Sequence, residues 1–152
     1  MGGQPPERYV IPARDAEAAS SHGARVELLD DRIAIVEVSG RDAWREFAQV
    51  VEPEWIAPVQ ADSRGQESYP TGELTVRFTS PPTEAQLRQI SAELDLRIVR
   101  RNDYVDTQVV FAPAGHVRRE RYLPTMNAEL AARPFVARSW LSTQSRYTRS
   151  GE

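Results

Sequence analysis

Imidazole chemistry is possible at only two positions in this chain, His22 and His116, and thiol chemistry at none, because cysteine is absent. The missing thiol excludes disulfides, thiolate nucleophiles and zinc ribbons. His22 stands before Gly23, where a histidine suits the C-terminal end of a helix. His116 follows Ala114-Gly115 in what reads as an insertion. Neither has the spacing of a metal ligand, no glycine-rich phosphate loop is present, and no serine or threonine is paired by pattern with a base. The carboxylates are scattered through polar segments. The chemistry within reach is therefore binding, not catalysis, with no cofactor or metal implied. Asp103 and Asp106, flanking Tyr104-Val105, read by residue type as part of a solvated turn.

The elements that must position these residues follow from pattern. Tyr9-Val-Ile11 is expected as a strand closed by Pro12, and Asp15 to Ser21 as a short helix stopped at Gly23. Val26-Glu-Leu-Leu29 and Ile33-Ala-Ile-Val-Glu-Val38 read as a hairpin across Asp30-Asp31. Trp44, Phe47, Ala48 and Val51 fall on one helical face, ended by Pro53, and Trp55-Ile56 opens a strand that Pro58 shortens. Further on, Leu74, Val76 and Phe78 alternate with Glu73, Thr75, Arg77 and Thr79, the signature of a half-buried strand. Thr83 and Gln86 form a capping box ahead of the stripe Leu87, Ile90, Leu94. Leu96-Arg-Ile-Val99 and Thr107-Gln-Val-Val-Phe111 should pair across the loop 102–106. Met126 to Ala132 is a helix stopped by Pro134, and Phe135-Val-Ala137 starts a final strand.

The order strand, helix, paired strands, helix, strand thus occurs twice. The fold class expected is α+β, with tandem ferredoxin-like βαββαβ units and antiparallel sheets. The boundaries are 8–60 for the first unit, 61–69 for a polar linker and 70–149 for the second unit with its C-terminal tail. Residues 114–124 have no counterpart in the first copy and carry Arg118, Arg119 and Arg121.

Charge divides unevenly: 7 arginines against 13 acidic residues through Tyr69, then 12 against 9 from Pro70 onward. All 19 basic residues are arginine, so the chain is lysine-free. Arg97, Arg100, Arg101, Arg118, Arg119 and Arg121 could form a basic patch, though a solvated face paired with the acidic first half is the simpler reading. The acidic total argues against nucleic acid as a partner. No apolar run approaches the roughly 18 residues of a membrane span, and the opening Met-Gly-Gly-Gln-Pro-Pro-Glu lacks the basic and apolar regions of a secretion signal.

Glu73-Leu-Thr-Val-Arg-Phe78, Thr83-Glu-Ala-Gln-Leu-Arg-Gln-Ile90, Leu96-Arg-Ile-Val-Arg100, Gln108-Val-Val-Phe111 and Asn127-Ala-Glu-Leu-Ala-Ala-Arg-Pro-Phe-Val-Ala137 together resemble the propeptide inhibitor domain of subtilisin-like serine proteases. Phe47-Ala-Gln-Val-Val-Glu-Pro-Glu-Trp-Ile-Ala-Pro58 is similar to that family's ending, so two copies are suggested. The resemblance implies a protein-binding module whose partner is a subtilisin-like serine protease, in trans or as the following domain. The sheet would lie on surface helices of the protease, and the C-terminal segment would enter its cleft as an added strand. On this resemblance Asp103 and Asp106 would cap helix N-termini of the protease. Leu141, Ser142, Thr143, Gln144, Ser145, Arg146, Tyr147 and Thr148 would supply the inserted tail.

Two rivals share the topology. Tandem regulatory domains that bind a small ligand such as an amino acid usually carry an acidic-glycine turn after the first strand, where this chain has Ile11-Pro-Ala-Arg14 and Thr79-Ser-Pro-Pro82. A tandem RNA-recognition pair needs aromatics exposed on the central strands, and Phe78 and Phe111 read as core.

Overall fold

The computed structural model describes residues 7–39, 44–114 and 122–145. Helices and antiparallel sheets are mixed in an α+β arrangement. The chain divides into two compact units: residues through Thr71 together with those from Thr143 on, and Gly72–Ser142.

The first unit begins with β1 (Glu7–Pro12), a 3-10 turn at Ala13–Asp15 and helix α1 (Ala16–Ser21). Strands β2 (Arg25–Leu28) and β3 (Ile33–Val38), helix α2 (Trp44–Val51) and β4 (Ala57–Pro58) follow. The strand order is β2-β3-β1-β4, antiparallel throughout, with Tyr9 opposite both Val36 and Pro58. Helix α1 closes through Gly23, whose φ of 87° lies in the left-handed region that costs glycine nothing. The acidic turn forms as its residue types dictate: Asp30 Oδ1 accepts the amides of Arg32 at 2.8 Å and Ile33 at 3.0 Å. Trp44 and Phe47 are buried on α2. The last strand is only two residues long, starting after Trp55-Ile56, because Pro58 offers no amide to extend the ladder. Val10, Ile11 and the whole run Ile33 to Val36 are withdrawn from solvent.

Where the sequence suggests a polar linker at 61–69, the structure has a β-hairpin. Strand β5 (Gln60–Ala61) pairs with the start of β6 (Glu67–Phe78), Gln60 opposite Ser68 and Ala61 opposite Glu67. Asp62 organises the turn, its Oδ1 accepting from the amides of Arg64 and Gln66, both at 2.9 Å. Gly65 supplies the required positive φ of 78°. Asp, Ser, Gly and Gln are residues of tight turns as much as of linkers, so composition alone misses the pairing. Arg8 on β1 forms an ion pair with Glu67 at the start of β6.

The second unit carries the rest of β6, helix α3 (Glu84–Leu94), strands β7 (Leu96–Arg101) and β8 (Gln108–Pro113), helix α4 (Leu123–Ala131) and β9 (Val136–Gln144). The path is β7-β8-β6, with β9 also paired to β6. The capping box forms with both bonds: Thr83 Oγ1 accepts from Gln86 N at 3.1 Å, and Gln86 Oε1 from Thr83 N at 3.0 Å. Leu87, Ile90 and Leu94 are buried as the stripe requires, and Asp95 ends the helix in a left-handed conformation. Helix α4 starts three residues earlier than the expected Met126, because a proline in the first turn has no intrahelical bond to lose. Leu123, Met126 and Leu130 join Leu74, Val76 and Phe111 in the core, and Phe78 stacks on Phe135 with centroids 6.1 Å apart. Arg133 is bound to Glu93 at 2.6 Å, which holds the end of α4 against α3 and draws the Glu93 carboxyl below its ordinary range.

Candidate partner-binding surface

The β7–β8 turn is built by Asn102. Its Oδ1 accepts from the amides of Tyr104 at 2.8 Å and Val105 at 3.0 Å, and its own amide bonds Gln108 O at 3.2 Å. The side chain thus substitutes for turn hydrogen bonds that the backbone cannot make itself. Asp103 and Asp106 are both exposed on this turn, and between them Tyr104 is 96% exposed. An aromatic ring standing wholly in water, with a carboxylate on either side, is a surface suited to contact rather than packing. Sequence reasoning named the two acids but not Tyr104, which reads in sequence as an ordinary loop residue.

The C-terminal segment is more tightly held than a free tail. Leu141 to Gln144 complete strand β9. Ser142 Oγ lies 2.8 Å from Thr75 Oγ1, and Gln144 Nε2 donates to Asp30 Oδ2 at 2.9 Å. Asp30 is a well-served acceptor. Slight burial works against its charged form, but the Gln144 amide and the backbone N–H groups of Arg32 and Ile33 outweigh it and draw its carboxyl below the ordinary range. Thr143 is exposed and Ser145 half-buried. Arg146, Tyr147 and Thr148 lie outside the described residues, as do Arg118, Arg119, Arg121 and His116.

Within Gly72–Ser142, the acidic turn and the root of the tail reach β6 at different points. The acidic turn meets β6 at its far end, where Phe78 N donates to Thr107 O at 2.7 Å. Ser142 meets β6 at Thr75, and the β7–β8 hairpin joins the same strand through β8.

Among the described residues other chemistry finds no assembly. His22 lines an open depression of about 380 Å³ with Glu37, Glu46, Phe47 and Val50. Among the described residues no group of three or more His, Asp or Glu side chains is placed to hold a metal ion, and no helix is long and apolar enough to cross a membrane. Among the described residues the one carboxyl raised above its ordinary range is structural: Asp15 is half-buried, which disfavours its charge, and its Oδ2 accepts from Glu54 N at 3.2 Å.

Searches of curated proteins and of solved structures return no significant match to the chain. A family model does match. Residues 56–120, from the start of β4 through β8, are similar to the fervidolysin N-terminal prodomain, a propeptide of a subtilisin-like protease.

Proposed function

We propose that this chain is a non-catalytic, propeptide-like module that inhibits or chaperones a subtilisin-like serine protease. The observation that carries the reading is the prodomain match over residues 56–120, which takes in the β5–β6 hairpin, α3 and the β7–β8 hairpin with its acidic turn. Two features support it further. Numbered from its own first strand, each unit has the order 2-3-1-4, the order of a ferredoxin-like βαββαβ unit, so the chain is read as two such units in tandem. And β9 delivers its last residues in extended form, which is the conformation that strand addition to a protease cleft needs.

On this reading Asp103 and Asp106 approach helix N-termini of the protease, and the segment from Leu141 to Thr148 reaches its cleft. Leu141 to Gln144 act as the anchored root of that segment, because Thr75 and Asp30 hold them. The residues after Ser145 are the part that enters. Progress-curve inhibition of a subtilisin-like protease by the intact chain tests the reading. Slow, tight inhibition is expected. Steady cleavage of the chain with no inhibition and no complex on gel filtration would refute it.

A further inference from the structure

Residues directly opposite each other in neighbouring strands project from the same face of a sheet. In the second unit Arg77 is opposite Gln108, and Thr75 opposite Val110. Val110 is in turn opposite Arg100, and Ala112 opposite Arg97. Arg77, Arg97 and Arg100 therefore share one face, the one turned away from Leu74, Val76 and Phe111. Ser142 joins that face through its contact with Thr75. Alternation along β9 then adds Arg138 and Trp140, and the Arg138 guanidinium lies 4.9 Å from the centre of the Trp140 ring.

All four arginines are exposed and Trp140 is half-exposed. Arg100 is paired with Glu73 at 3.1 Å. Arg77, Arg97 and Arg138 have no carboxylate partner among the described residues. Two strands across and four residues along separate Arg77 from Arg97, roughly 16 Å at ordinary sheet spacings. Like charges gathered on one flat face repel each other unless something opposite answers them.

We propose that this face docks on a carboxylate-bearing surface of the protease partner, an inference that rests on the propeptide-like reading. Its sign is opposite to that of the acidic turn: the turn suits helix N-termini, whereas this face suits acidic side chains and helix C-termini. Thr75, Val110 and Ala112 share this face by register and are themselves buried, so the exposed groups on offer are the arginines and Trp140; a protein carboxylate suits them better than a phosphate chain, which the acidic net charge of −3 would repel. Arginine adds planar, two-pronged bonding to carboxylates.

The test uses the full chain and two catalytically inactivated subtilisin-like proteases, one with an acidic surface and one with a basic surface. Biolayer interferometry would be run at about 50 and 300 mM salt, since screening at the higher value suppresses attraction between exposed charges. The acidic protease should bind at least about tenfold more tightly, and lose that advantage in high salt. The triple variant Arg77→Glu, Arg97→Glu, Arg138→Glu should lose the preference while keeping its circular dichroism, and the corresponding triple substitution to Lys should keep most of it. Equal affinity for the two proteases, or a charge-reversed chain that binds as well as the original, overturns the inference and leaves the propeptide-like reading standing. Failure to bind either protease overturns that reading and the inference with it. Binding of single-stranded oligothymidine as tight as that of the acidic protease, or self-association that charge reversal removes, assigns the face to another occupant and also overturns the inference.

Discussion

Asp15 shows how a single side chain can act against the fold it serves. Burial raises its carboxyl above the ordinary value of 3.8, although the bond from Glu54 N and the Arg14 charge pull the other way. A folded-state value above the unfolded one means that the native protein holds this proton more tightly. The stability so contributed is full below the unfolded value and is lost as pH rises through the folded value. Asp15→Asn keeps an oxygen for Glu54 N and removes the charge. We expect a higher midpoint of thermal unfolding at pH 7, with the gain shrinking as pH falls toward 3.8. A lower midpoint at pH 7 would show that the charge is worth more than its burial costs. Leu87 is the opposite case, a side chain 1% exposed on the buried stripe of α3. Leu87→Ala should cost about 2–5 kcal/mol in chemical denaturation. Leu87 was legible from spacing and Asp15 was not, because a half-buried carboxylate depends on Glu54, which is distant in sequence. The arginine face was half legible. Arg97 and Arg100 drew notice as a cluster, whereas Arg77, Arg138 and Trp140 belong to it only once the strand pairing is known.

At the scale of elements, local signals decided most outcomes. The capping box of α3 was written in Thr83 and Gln86, and both its bonds form. Thr83→Ala should cost about 1 kcal/mol, measured by urea denaturation, because the amide of Gln86 loses its acceptor. The β5–β6 hairpin was not legible, since Asp62 and Gly65 serve a turn and a linker equally well until the partner strand is seen. The C-terminal segment was legible as extended but not as tethered: its ties to Thr75 and Asp30 come from residues 67 and 114 positions away. That changes where a truncation should fall. Ending the chain at Ser145 spares β9, so circular dichroism should be unchanged while the inhibition constant rises at least about tenfold, the loss of one or two good contacts in the cleft. Unchanged potency would remove the tail from the proposed mechanism. Ending it at Trp140 removes four residues of β9 and should lower stability as well.

For the whole molecule, α+β architecture with antiparallel sheets was legible because hydrophobic periodicity switches between two and 3.6 along the chain. The boundaries of the two units fall inside strands. Strand β6 runs through the boundary at Thr71, and β9 through the one at Ser142. A strand cannot lose half its ladder without fraying the other half, so the chain should unfold in one calorimetric transition, with the calorimetric and van't Hoff enthalpies equal. Two resolved transitions would show that the shared strands do not couple the units. The uneven charge, acidic through Tyr69 and basic beyond it, was fully legible in composition. Its placement on one sheet face was not, because alternation tells which residues share a face only after the register is fixed.

The Asp62 turn also has a practical consequence. Residues 61–66 are all exposed, and a Cβ built on Gly65 would meet nothing within 4 Å. Because the flanking ladder and the Asp62 bonds define the two ends of this hairpin, its tip is a natural port for a peptide tag or a fluorescent reporter. A handle grafted there would report on the protein while leaving the sequence at both chain termini unaltered.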